Sequence, residues 1–320
     1  MKKNTRLIKA AILIGAVTLS GCAATVAMTY ETISAGEVLP ALTKITESAR
    51  SETPFGGDDD GPIFFSYDAT KTGHYDVYKK DKPLSGSMSQ MTDLGTTGFA
   101  WFPTYNKATD KIAFCMGYDI YTMPATKGKA LTQITSTNNL RDNHPCFNPD
   151  GSLIVYDRNK SSLGTDGKYY YFNKNAEIWI KNIKTGENTL LGKGMFPSFS
   201  HDGKKIVYTK YEGDKSKIWI MDADGDNQTT ITDNGTLNQA SHPRFSPNDK
   251  WIVFTGYDKD NNSDIYVIPV EGGDFTRLTI SKSSDYLPYW STDGYIYFTS
   301  DRGGKKGEYN IWRFKYSDQQ

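Results

Sequence analysis

Six prolines open six successive copies of one unit in this chain. They stand at Pro54, Pro103, Pro145, Pro197, Pro243 and Pro288, with spacings of 49, 42, 52, 46 and 45 residues. A repeat of that length built from short β-type runs has the period of propeller blades. The clearest copy runs from Met195 to Thr232. It reads as four strands: FPSFS, KIVYTK, KIWIMD and TTIT, separated by a His-Asp-Gly turn, a polar loop and an Ala-Asp-Gly turn. Four such runs joined by tight turns predict one antiparallel sheet per unit.

The columns of the repeat carry the physical argument. The second strand reads PIFFSY, KIAFCM, LIVYDR, KIVYTK, WIVFTG and YIYFTS, and the third reads YDVYK, YDIYT, AEIWI, SKIWI, SDIYV and YNIWR. An aliphatic-then-aromatic pair recurs in both, as expected when both faces of a sheet lie against neighbouring sheets and the strands become nearly continuous apolar runs. Ile206 and Tyr208 are expected to face one neighbouring blade and Val207 the other, because side chains alternate across a strand. Turn pairs such as Asp150-Gly151, Asp202-Gly203, Asn248-Asp249 and Asp293-Gly294 suit the positive φ of tight turns. The fold class expected is all-β, a six-bladed propeller over residues 41–320.

Ring closure is also predicted. The segment Ala41-Leu42-Thr43-Lys44-Ile45-Thr46 nearly repeats Ala130 to Thr135, the outer strand of the second unit, yet no inner strands precede it. The sixth unit ends after YNIWRFKY with no outer strand of its own. Leu42 to Thr46 should therefore complete the last blade and remove the open edges of the array. The third unit departs from the others by a long insertion, Asp157 to Asn175, carrying Tyr169-Tyr170-Tyr171-Phe172.

The amino terminus has a different character. A basic head, Met1 to Lys9, precedes an apolar run, Ala10 to Leu19, too short to span a bilayer as a mature helix, and the whole reads as an export signal over residues 1–21. Leu19-Ser20-Gly21-Cys22 resembles the bacterial lipobox, which implies lipidation of Cys22 and attachment to a membrane. Ala23 and Ala24 follow, resembling the outer-membrane default, so the expected location is the cell envelope, on the periplasmic or surface face of the outer membrane. Residues 22–40 show no strand period and read as a tether.

Composition narrows the function classes. The chain has 37 basic and 37 acidic residues, and removal of residues 1–21 takes away four basic ones, leaving 33 against 37. That balance gives no electrostatic argument for nucleic acid. Nucleophilic catalysis lacks a G-x-S-x-G elbow, and His74 and His201 fall in loops or turns. His144 and His242 occupy the same place in units three and five, but alternate blades should hold them too far apart to share a metal, and no third ligand has metal-like spacing. Asp222-Ala-Asp224-Gly-Asp226-Asn227 lacks the closing Glu of a calcium loop and reads as a hairpin turn, as does the Asp58-Asp59-Asp60-Gly61 run. Cys115 and Cys146 read as buried free thiols. No cofactor, no metal and a monomer are expected.

The candidate site is the face where blades connect. The residues before each proline, Thr53, Phe102, His144, Phe196, His242 and Leu287, should project there, beside Trp101, Asn143, Met195, Ser241 and Tyr286. Aromatic, Met and His side chains at one mouth suit a binding surface. The alternative is that they only plug the channel.

The columns P-x-F-S-P/H-D-G, I-V-F/Y-T and D/K-I-W/Y-V/I, with DADG-type turns, resemble the repeats of the TolB family across all six units. The resemblance implies the six-bladed fold and, for that family's eponym, an envelope assembly involving a peptidoglycan-associated lipoprotein. The eponym carries an additional N-terminal α/β domain that residues 22–40 are too few to form, so the fold is carried over and the partner is not. The same repeat type occurs in peptidases of the prolyl-oligopeptidase kind, where a separate hydrolase domain holds the catalytic residues. The function expected is a non-enzymatic binding platform for an envelope protein or glycan; the alternative is a lyase-like carbohydrate-active or peptide-processing enzyme working at the mouth.

Overall fold

The computed structural model describes residues 41–46, 51–55, 61–70, 73–95, 99–126, 130–137, 140–160, 174–233, 235–305 and 308–316. The export signal, Cys22, the tether, the Asp58 to Asp60 run and Tyr169 to Phe172 lie outside them. Among the described residues, twenty-four strands form six four-stranded antiparallel sheets, five of them in simple sequence order. Blades 1 to 5 span residues 51–90, 100–133, 140–193, 195–230 and 239–277, and blade 6 spans 285–315.

Blade 6 is completed by Thr43–Lys44, paired antiparallel to Asn310–Lys315 with Thr43 opposite Arg313 and Lys44 opposite Trp312. This is the predicted closure. Leu42 enters the cluster of Trp290, Phe298, Trp312 and Phe314 together with Val253 and Ile265 of blade 5, while Ile45 packs with Ile63, Phe65 and Tyr78 of blade 1. The closing segment therefore touches the core on both sides of the seam.

The apolar columns behave as expected. Ile206 and Tyr208 pack with Cys146, Val155 and Ile178 of blade 3, whereas Val207 packs with Ala240, Phe245 and Phe254 of blade 5. Each fully buried side chain of this kind stabilises the ring by roughly 1.5–3 kcal/mol. Blades share these clusters, so the loss of one strips its neighbours.

A threonine clamp holds the outer edge of five blades. The hydroxyls of Thr92, Thr135, Thr232 and Thr279 accept the amides of Val77, Ile120, Ile218 and Ile265 at 2.9 to 3.0 Å. In blade 6 the part is played across the seam by Thr46, which accepts the Ile311 amide at 3.0 Å.

The expected insertion begins later than Asp157. The second strand of blade 3 continues from Leu153 to Lys160, pairing Asp157 with both Asn143 and Ile178. Bidentate pairing of Arg158 with buried Asp142, at 2.7 and 2.9 Å, holds polar residues in the extended strand.

Candidate functional site

Every first strand carries the same irregularity. Between Trp101 and Thr104, Asn143 and Cys146, Met195 and Ser198, Ser241 and Arg244, and Tyr286 and Tyr289, the register slips by one residue against the second strand, and Glu52 and Phe55 flank the same slip in blade 1. This is a β-bulge, with two residues opposite one. The residues it faces are Phe65, Phe114, Tyr156, Tyr208, Phe254 and Phe298, all fully buried.

In blades 2 to 6 the residue before the proline pays for the bulge in backbone conformation. Phe102, His144, Phe196, His242 and Leu287 have φ of 53, 51, 55, 54 and 55°. Left-handed backbone is uncommon for such side chains and persists only where the surroundings over-determine it. Here the clamp comes from the preceding blade: Asp157 accepts the Phe196 amide at 3.0 Å, Thr255 accepts the Leu287 amide at 3.2 Å, and the Cys115 thiol meets the His144 backbone. Cys115, Asp157 and Thr255 occupy one column of the second strand, whose other members are Ser66, Thr209 and Thr299. The column was visible in the repeat as a small or polar fifth letter, the signal that sequence reasoning passed over.

The turned-in side chains form a ring around the axis. Phe102 and His144 have centroids 4.0 Å apart, His144 and Phe196 4.3 Å, and Phe196 and His242 3.9 Å. Only about 10 Å³ of open space remains among Phe102, His144, His242, Arg244, Leu287 and the neighbouring prolines. His144 is 5% exposed, Phe196 1% and His242 8%, and Met195 is buried beside Ala176. Trp101, Phe102, Asn143, Tyr286 and Leu287 are half-buried. The structure thus brings Phe102, His144, Phe196 and His242 together as a seal and leaves Trp101, Asn143 and Tyr286 above it.

The electrostatics of the seal follow from its dryness. Nδ1 of His144 lies 2.6 Å from Asp157, and its Nε2 is buried with no hydrogen-bond partner. Burial pushes the His242 imidazole well below its ordinary value, with the charges of His144 and Arg244 acting in the same direction. His242 shares a 2.8 Å hydrogen bond with the Ser241 hydroxyl. Phe196 stands between the two histidines, and among the described residues no group of three His, Cys, Asp or Glu is placed to hold a metal. Cys115 and Cys146 are free thiols, and burial raises Cys115 well above the usual thiol range. The Asp222 to Asn227 segment is a turn: Asp224 caps the Asp226 amide at 3.0 Å, and Asp222 pairs with Lys205.

An aromatic wall borders the seal on the connecting face; sequence reasoning named its Trp101 and Tyr286 and missed Tyr75, Phe99 and Tyr118. Trp101 lies 4.1 Å from Tyr75 and stacks with Phe99 at 6.3 Å and 18°, and His74 lies 5.4 Å from Phe99. Phe99 is 40% and Tyr118 45% exposed, with the Arg141 guanidinium 4.7 Å over the Tyr118 ring. Across the mouth Tyr286 meets Tyr309 edge-on at 5.1 Å. Phe99 and Tyr118 sit in connections between strands, where no periodicity marks them.

At the opposite end, where the first and second strands turn, the channel widens into a cavity of about 220 Å³. Its wall includes Thr104, Cys146, Ser198, Arg244 and Tyr289, the residue after each proline in blades 2 to 6. Neighbouring turns interlock around it. The Asn106 amide donates to the carbonyls of Asn148 and Pro149 at 3.0 Å each, and Gly151, at φ 72°, packs where a Cβ would meet Thr109 at 2.6 Å.

Comparison with known proteins agrees with this architecture. Residues 192–319, from the end of blade 3 onward, match the TolB beta propeller domain family. Dipeptidyl-peptidase 5 of Porphyromonas gingivalis is 30% identical over 86 residues, 24% of this chain and 12% of that protein. The chain's matches to two curated relatives span 12% and 54% of their length. Among solved structures, TolB from Acinetobacter baumannii is 17% identical, with a TM-score of 0.61 over 82% of this chain and 65% of that one. Oligogalacturonate lyase from Vibrio parahaemolyticus is 13% identical, with a TM-score of 0.59 over 92% and 98%. At these identities the likeness is one of fold.

Proposed function

We propose that this six-bladed propeller of TolB-like repeats is a non-enzymatic binding platform of the bacterial cell envelope, held at a membrane through lipid on Cys22. The observation that carries the reading is the aromatic wall of Phe99, Trp101, Tyr75 and Tyr118 beside a sealed axis. Rigid aromatic side chains give contact area at little entropic cost, and they are enriched where partners bind. The blades hold them on a frame closed by its own N-terminal strand, so little ordering is left to oppose binding.

Carbohydrate-active chemistry is the second reading, favoured by the fold shared with the lyase and by two histidines at the axis. Against it stands the enclosure of His144 and His242, since a proton-transferring group must come within hydrogen-bond reach of its substrate.

The experiment is affinity capture from envelope extracts with the full chain and with a Phe99→Ala/Tyr118→Ala variant. A partner retained by the first and lost by the second, at equal thermal stability, is the expected result. Reproducible conversion of oligosaccharide or peptide pools, abolished by His144→Ala or His242→Ala, would overturn the platform. Anchoring is checked separately: labelled fatty acid should enter the chain and fail to enter Cys22→Ser.

A further inference from the structure

The cavity at the hairpin end of the channel has an uneven charge. Its described wall holds Arg244, Lys107 and His201 and no Asp or Glu, in a chain with equal numbers of acidic and basic residues. The three basic residues differ in setting. His201 is turned to Asp249 at 3.1 Å, and Lys107 is exposed at the rim. Arg244 lies at the inner end, lining both the cavity and the small void beneath the ring. Its Nη1 donates to the Pro243 carbonyl at 2.9 Å, which fixes the guanidinium, and Cys146 and Tyr289 are its electrostatic neighbours.

We propose that this cavity binds a small oxyanion, a carboxylate or phosphate group, with Arg244 at its inner end. A concave wall of one sign with low-dielectric surroundings focuses potential and raises the local concentration of the opposite charge. Arg presents planar, paired donors matched to carboxylate and phosphate oxygens. Thr104, Ser198 and Tyr289 occupy the corresponding place in three other blades, so hydroxyl-bearing residues share the wall with the cation. Sites for drug-sized ligands run to about 300–1,000 Å³. At about 220 Å³ this one suits a small anion or the charged end of a larger molecule.

The site follows from the bulge. In blades 2 to 6 the extra residue turns the one before the proline toward the ring and leaves the one after it on the channel wall. A single letter of the repeat, at the position after proline, therefore sets the lumen's chemistry without disturbing the blades. Arg244 is the one charged choice among the described residues of that column.

The test is calorimetric titration of the full chain with acetate and with inorganic phosphate, each against chloride at matched ionic strength. Saturable binding of one probe is expected and identifies which oxyanion the site prefers. Arg244→Gln should weaken it about tenfold or more, in line with the loss of a charge-assisted pair. Lys282→Gln, an equal charge change on the connecting face, should leave it unchanged. A second readout needs no substitution: bound anion should slow alkylation of Cys146 by iodoacetamide, mapped by peptide mass, and leave the rate at Cys115 unaltered. Failure of both probes to bind saturably overturns the proposal. So does binding that survives Arg244→Gln and leaves Cys146 unprotected.

Discussion

Asp157 and His144 form a buried pair across blade 3, 2.6 Å from carboxylate to Nδ1, and the same carboxylate oxygen takes the Phe196 amide of blade 4. One side chain thus orients the imidazole and pins the left-handed residue of the next blade. In blade 5 the equivalent work is done by neutral Thr255. The ionisable pair is therefore a local variant of a clamp that Cys115 and Thr255 make with uncharged side chains.

His144→Leu should remove one of the two hydrogen bonds held by the Asp157 carboxylate and destabilise the fold by roughly 2–3 kcal/mol, the scale of a lost charge-assisted hydrogen bond. Adding Asp157→Thr, the residue used at this position in three other blades, should recover most of that loss. Urea denaturation of the two single variants and the double gives the coupling directly. Strictly additive effects would mean that the pair does not act as a unit.

The seam at Thr46 should be the ring's weak point. Thr46→Ala removes the acceptor of the Ile311 amide and should lower stability by about 1–2 kcal/mol. Removal of residues 1–50 also uncovers the sites of Leu42 and Ile45, each worth roughly 1.5–3 kcal/mol, and leaves a strand edge open. Melting of the truncated chain should therefore fall well below that of Thr46→Ala. An unchanged melting temperature would show that the strand is dispensable.

Burial pushes the Asp264 carboxyl up from 3.8 to about 6, although Arg277 pulls the other way. Between these values the folded protein keeps a proton that the unfolded chain has released. The stability associated with this group is thus fully present below 3.8 and is lost as pH rises through about 6. Asp142 and Asp285 are raised by burial as well, so the wild-type profile alone is a composite. The difference between Asp264→Asn and wild type isolates one group: it should shift toward the variant by about 3 kcal/mol from pH 4 to pH 7.5. Parallel stability profiles would refute the raised value.

Phe99→Ala should cost less than about 1 kcal/mol, because the ring is partly in water and its loss removes only part of a stack. Its effect on capture of an envelope partner should be much larger. Equal capture by wild type and variant would remove Phe99 from the binding surface.

The order of blades, the pairing of Leu42 to Thr46 with the last blade and the facing of Ile206, Val207 and Tyr208 were legible in the amino-acid order, because they follow from strand period and from burial on both faces. The ring was half legible. Its members could be named from their place before proline and set at the channel mouth, but the one-residue bulge that turns them inward could not be read, because a register slip leaves no mark on the strand period. The Arg244 cavity and the wall of Phe99 and Tyr118 were decided by tertiary structure alone. Both draw residues from different blades, and distances between blades are set by how the sheets pack around a common axis, which no local pattern along the chain encodes.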